Sequence, residues 1–220
     1  MAKKSPVIIK PPNVLVIQFL IEGTVPYVQN KFSAKAQAAI HEKHASGAAG
    51  KTKKNREAKD FKQNWADAIH KSRAGWCGIP AAAFRAALVS TCRLVDLDMS
   101  RAKLCLFVEA DGEDADDGTP LVKITKGKPQ YAEHPVRNAS GVIDLRARPM
   151  WMPGWQALLT IRYDADIFKP EYVANLVQRA GQQVGIGEGR PDSKKSTGVG
   201  WGLFGILNNK GRKRGTQKRK

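Results

Sequence analysis

The chain has 220 residues with 37 Lys and Arg against 20 Asp and Glu, a formal charge of +17 and a pI near 10.0. Its 42% hydrophobic content is enough to pack a core at the length of one domain, but a charge this large repels itself in a compact chain unless a polyanion is near. Nucleic acid fits that role, since each neutralised phosphate releases counterions, whereas the longest apolar run, Val14–Ile21 with Gln18 inside it, is far below the length of a membrane span.

In chain order, residues 1–12 place Lys3, Lys4 and Lys10 among prolines, which reads as a flexible basic arm and not as a secretory leader. Val14–Glu22 is nearly all apolar and suits a strand buried on both faces. The stretch from Lys43 to Lys62 carries Lys51, Lys53, Lys54, Arg56 and Lys59 around Ser46–Gly50 and reads as a basic insertion. Asn64–Lys71 suits a short helix. Ile79-Pro80 opens a longer one, with Phe84, Leu88, Cys92 and Val95 on one side.

Leu104–Ala110 and Leu121–Thr125 read as strands, and the acidic run Glu109–Asp117 between them as a solvated tip without calcium-loop spacing. Val142–Arg148 alternates, with Ile143, Leu145 and Ala147 on one face; Trp155–Asp164 alternates again, with Ala157, Leu159, Ile161 and Tyr163 together. A second helix from Lys169 turns Val173, Leu176, Val177 and Ala180 inward and ends at Gly181 as an αL cap. Val184–Ile186 and Trp201–Leu207 complete a sheet, and the tail over 208–220 holds seven Lys and Arg and no acid. Strand, helix, strands, strand, helix, strand is the split βαβ, ferredoxin-like plan of an α+β domain over 13–207, with the basic insertion at about 43–62 and disordered basic termini. Cys77, Cys92 and Cys105 are too few and too scattered for a disulfide framework or a zinc knuckle, so they read as reduced thiols in a cytoplasmic or nucleoid-associated protein.

The segment VGIGEGRPDSKKSTGVGWGLF, Val184–Phe204, carries the strongest local signal. Gly185, Gly187, Gly189, Gly198, Gly200 and Gly202 remove side chains so that another backbone can approach. Arg190, Lys194 and Lys195, with Ser193, Ser196 and Thr197 between the two glycine ladders, point to a phosphate cradle of amides and cations. Neither the Walker spacing nor the dinucleotide fingerprint is present. A second cluster over His134–Trp155 holds Arg137, Arg146, Arg148, Trp151 and Trp155, the forked cations and stacking rings a single-strand groove uses.

Gly185–Gly189 followed by Lys195-Ser196-Thr197-Gly198-Val199-Gly200-Trp201-Gly202-Leu203-Phe204 resembles the glycine-rich loop of the RAMP superfamily, whose ferredoxin-like members bind or process the guide RNA of CRISPR complexes. The opening Val14–Pro26 with Glu22-Gly23-Thr24, and the helix after Gly78-Ile79-Pro80, look similar to the first strand and helix of such domains. Compact, tailed chains of this kind also look like phage-borne relatives of that fold. The resemblance implies a backbone-type subunit that coats single-stranded RNA, polymerises along it as a homo-oligomer or filament, and uses an inserted thumb where Lys51, Lys53, Lys54 and Arg56 lie; Arg212, Lys213 and Arg214 of the tail would add phosphate contacts. Single-stranded DNA is the other partner open to it; no cofactor, metal or membrane enters.

The enzymatic alternative, a RAMP-like metal-independent ribonuclease, would need a general base, for which His134 near Arg137 and Tyr131 is the candidate. A basic structural protein of a nucleoprotein particle is a third reading.

Overall fold

Ile17, Phe19 and Ile21 alternate with Val16, Gln18 and Leu20, and Val14–Gly23 accordingly forms a ten-residue strand, β1. The computed structural model describes residues 9–32, 34–45, 60–137, 143–193 and 199–207. After β1 come β2 (Tyr27–Val28), α1 (Ala34–Ala45), α2 (Phe61–Asp67), β3 (Gly78–Pro80) and α3 (Ala81–Thr91). Next are α4 (Met99–Cys105), β4 (Leu106–Val108), β5 (Gly112–Glu113), β6 (Pro120–Lys126), β7 (Gln130–Arg137) and β8 (Ile143–Trp151). β9 (Gln156–Asp164), α5 (Pro170–Arg179), a π-helical turn over Ala180–Val184 and β10 (Phe204–Ile206) complete the described elements.

The architecture is α+β. Its main sheet is antiparallel in the order β10-β1-β9-β6-β3, with β4 also on β9 and β5 on β6. β1 and β9 lie in full register, Phe19 opposite Leu159 and Ile21 opposite Ala157, so both strands present the same face. That face packs with Phe84, Leu88 and Cys92 of the α3 segment and Val173, Leu176 and Val177 of α5 in one buried cluster. Burying each large aliphatic there contributes about 1.5–3 kcal/mol. A second sheet, β2-β8-β7, sets a long hairpin beside the first. Among the described residues no helix is long and apolar enough to cross a membrane.

Several expectations change. β1 is buried on one face only: Val14 is 45% and Val16 59% exposed. Leu104, expected to open a strand, lies in α4 and is 78% exposed, and Val95 is exposed beyond the end of α3. Asp98 caps α4 by accepting from the Ser100 amide at 2.8 Å. Ile143 and Leu145 are exposed because β8 belongs to the hairpin and not to the main sheet. Val184–Ile186 is not a strand. The positive-φ glycine closing the second helix is Gly185, four residues later than expected, and Gly181 instead leaves room for the Phe204 carbonyl. Cys92 is buried and Cys77 and Cys105 half-buried; burial pushes all three thiols above their ordinary range.

The acidic run is the largest correction. Asp114 is fully buried, 0% exposed. Its carboxylate accepts from Lys31 Nζ at 2.6 Å and pairs with His70 Nδ1 at 2.8 Å, and it takes the Asp116 amide at 2.9 Å. Lys31, itself buried, also reaches Asp116 at 2.6 Å. Burial alone would raise the Asp114 carboxyl, but the Lys31 ammonium, the Asp116 amide and His70 together hold it below the usual range. Burial likewise favours a neutral Lys31, and the bonds and charges of Asp114 and Asp116 outweigh it and raise the amine. Gln29 joins the network, donating to the Gly78 carbonyl at 2.8 Å and accepting the His70 amide at 2.9 Å. His70, Asp114 and Asp117 are close enough to share a cation, but the Lys31 ammonium already sits on the Asp114 carboxylate.

Candidate nucleic-acid interface

The glycine segment is stitched to its own protein. Seven of its amides donate to main-chain carbonyls: Gly185 to Ala180, Ile186 to Gly202, Glu188 to Val28, Asp192 to Val184, Gly200 and Trp201 to Gly189, and Gly202 to Pro26. The glycines are needed for that stitching. A Cβ on Gly202 would collide with the Ile186 carbonyl, one on Gly187 with the Val28 carbonyl, and one on Gly189 with the Trp201 ring; all three have positive φ. The described amides of the expected phosphate cradle are therefore largely tied into an internal clasp. The amides of Gly187, Gly189 and Arg190 take no part in these bonds, and the Arg190 guanidinium donates back to the Gly187 carbonyl at 2.9 Å. Gly200, with φ of 88°, faces open space.

The β7–β8 hairpin lays one face on this clasp. His134 opposes Arg146 and Ala132 opposes Arg148, so strand alternation sends Arg146, Arg148 and His134 to the same side. There Arg148 Nε donates to Glu188 at 2.8 Å, Arg146 contacts the other Glu188 oxygen at 3.4 Å, and the His134 ring meets Trp201 with centroids 4.9 Å apart. The opposite face takes α2, where Trp65 donates to the Gln130 carbonyl at 3.1 Å and its ring approaches Tyr131. Arg146 and Arg148 are thus half-buried and turned onto Glu188, where the sequence led us to expect two solvent-facing forks.

Trp151 does not offer a stacking face. It is 0% exposed and packs with Tyr27 at 5.4 Å, while Trp155, also 0% exposed, packs with Tyr27 at 5.6 Å and donates to the Val25 carbonyl. The rings sit where β2, β8 and the β8–β9 turn converge, so bulk and not base recognition places them there. His134 is no better placed as a base: its Nε2 is buried and without a partner. Its pKa is lowered, first by burial and then by Arg148, against the pull of Glu188. A neutral imidazole is chemically suited to take a proton, but this one is closed off from any 2′-hydroxyl.

Beside the clasp a groove of about 830 Å³ opens between α3, α4 and residues 190–193, with Ala82, Ala86 and Val89 as floor and Arg85, Arg93, Lys103 and Arg190 around it. Arg85 donates to the Leu106 and Lys103 carbonyls. Arg93 donates to Asp192 at 2.7 Å, as does Ser90, and these bonds outweigh burial and lower the Asp192 carboxyl. Sequence reasoning missed this groove because α4 was not expected. It missed Glu188 because a single acid between two glycines gives no periodic signal.

No protein-family model matches the chain, and no curated protein does.

Arg137 closes β7 opposite Ile143. Lys194, Lys195, Ser196 and Gly198, the insertion residues Lys51, Lys53, Lys54 and Arg56, and the tail residues Arg212, Lys213 and Arg214 lie outside the described residues. Their distribution is still informative as sequence. The described residues hold 21 Lys and Arg against 19 Asp and Glu, and the other positions hold 16 against one, so 15 of the 17 net charges fall outside the described fold.

Proposed function

We propose that the chain binds single-stranded nucleic acid, RNA before DNA, through its phosphates, without reading bases and without cleaving. The observation that carries this is the charge partition: the described residues are nearly neutral, and 15 of the 17 net charges belong to the other positions of the sequence. A folded body needs no such excess for its own stability, and near-acid-free blocks of Lys and Arg match a polyanion. Within the described residues, the groove lined by Arg85, Arg93, Lys103 and Arg190 adds cations that a phosphate strand can use.

A ferredoxin-like, split βαβ domain is supported by the strand order β10-β1-β9 with β4 and β6 beyond. Taken along the chain, that order runs β1, α3, β4 or β6, β9, α5, β10. Kinship with the RAMP superfamily rests on the glycine segment, whose role as a clasp is compatible with it. The ribonuclease alternative gains nothing from His134, whose Nε2 is buried.

The test is a salt titration of binding to ssRNA, ssDNA and duplex DNA of equal length, for the full chain and for residues 1–207. Each neutralised phosphate contributes roughly 0.7 to the slope of log K against log salt on a single strand. A steep slope that drops when the tail is removed is expected. A shallow slope, or one the truncation leaves unchanged, overturns the proposal.

A further inference from the structure

Among the described residues, β1 has one open edge. It pairs with β9 from Val14 to Glu22, but on its other side β10 covers only Ile21–Gly23, and the last bond is from the Leu207 amide to the Leu20 carbonyl at 2.8 Å. In an antiparallel ladder successive residues aim their N–H and C=O to alternate sides. Asn13 and Gly23 bond towards the β9 side, to Ala165 and Trp155, while Leu20 and Thr24 bond towards the β10 side, to Leu207 and Leu203. The even-numbered residues therefore face β10, and Val14, Val16 and Gln18 extend their main-chain groups over an edge that β10 does not reach. The same stretch exposes Val14 and Leu15 at 45% each and Val16 at 59%. Val14–Ile21 contains no Lys, Glu or Pro, the residues that natural sheets use to blunt an edge.

We infer that this edge pairs with the same edge of a second copy, antiparallel about a twofold axis through Val16. The continuous sheet must keep its helix-covered faces on one side, so directly opposed residues must come from the same face of β1. Pairing Val16 with Val16, Leu15 with Ile17 and Val14 with Gln18 satisfies that. It also makes Val14, Val16 and Gln18 hydrogen-bonded pairs, about six main-chain bonds in all. The register stops short of Leu20, so β10 stays in place.

The chain's own C-terminal continuation is a poor occupant, because residues 208–220 contain no apolar side chain to match Val14, Leu15 and Val16. An isologous joint of this kind closes at two subunits. It sets two copies of every basic arm on one body.

Light scattering on the full chain, stripped of nucleic acid, tests this apart from the binding proposal. A mass twice 24.1 kDa is expected at high concentration, falling on dilution. Val16→Pro removes an N–H that β9 does not use and should leave 24.1 kDa with the melting transition of the dilute, monomeric parent chain; Val16→Lys should do the same through facing charges. In the unsubstituted chain the Val14, Val16 and Gln18 amides should exchange more slowly as concentration rises. A mass of 24.1 kDa at every concentration, a dimer that survives Val16→Pro, or exchange independent of concentration overturns the inference. So does a dimer that appears only after residues 1–8 are deleted, since the chain's own start would then be covering the edge.

Discussion

Removing the Lys31 ammonium with Lys31→Met strands a fully buried carboxylate, and the cost can be worked from its surroundings. Asp114 keeps the Asp116 amide and His70 but loses its closest cation, at 2.6 Å, with both side chains nearly free of solvent. Breaking a buried pair from one side costs about 3–5 kcal/mol, because the remaining charge is uncompensated. At about 2–4 °C per kcal/mol for a domain of this size, the melting temperature should fall by about 6–20 °C.

Calorimetry or urea unfolding of Lys31→Met, Asp114→Asn and the double variant gives the magnitude. The double should lose clearly less than the two singles together. The pH dependence has a definite sign. Asp114 is depressed in the fold, so its contribution is present above the unfolded value of about 3.9 and is lost as pH falls through the lower folded value. Lys31 is raised, so its contribution is full below about 10.4 and is lost as pH climbs through the higher folded value. The difference between the parent chain and Lys31→Met should therefore hold at neutral pH and narrow below about pH 4. A loss under about 1 kcal/mol, the size of an exposed ion pair, or simple additivity would refute the idea that these charges are locked away from water.

Glycine substitutions separate strain from collision: Gly200→Ala should cost about 1–2 kcal/mol for its positive φ alone, and Gly202→Ala clearly more in the same melt, since its Cβ meets the Ile186 carbonyl. Glu188→Gln frees Arg148 from its ion pair and should tighten single-strand binding, steepening the salt slope by roughly 0.7 for each arginine that reaches a phosphate; weakened binding would mean the clasp itself shapes the site. His134 holds its proton less tightly folded than unfolded, so stability should decline as pH drops through about 6.5. In His134→Gln that acid-side decline should shrink, read by urea midpoints across pH.

The elements legible in the sequence were those whose period and burial agree. β9 alternates and buries Ala157, Leu159, Ile161 and Tyr163, and α5 places Val173, Leu176 and Val177 inward, both as the pattern required. Period alone does not say which face is covered. Ile143 and Leu145 alternate just as well, yet lie exposed because their strand belongs to the hairpin. The glycine ladders signalled close backbone approach, and the approach is real, but the backbone is the protein's own. Asp114 was out of reach because an acidic run looks solvated, and Lys31, which draws it inward, is 83 residues away in the chain. The helix Met99–Cys105 is too short to show a period, though Asp98 before Ser100 was a capping signal.

The Lys31 anchor has a second consequence. The Lys31 amide donates to the Ala68 carbonyl at 3.2 Å, which ties the chain ahead of α1 to the end of α2. Within that span α2 is itself docked on the hairpin, its Trp65 donating to the Gln130 carbonyl. Closing a flexible loop costs only about 0.6 kcal/mol more for each doubling of its length. A change of length in the sequence between α1 and α2 should therefore cost the fold little, since the anchors on either side are made by residues outside it. Evolution, or a designer, can retune it as a cassette without reopening the fold.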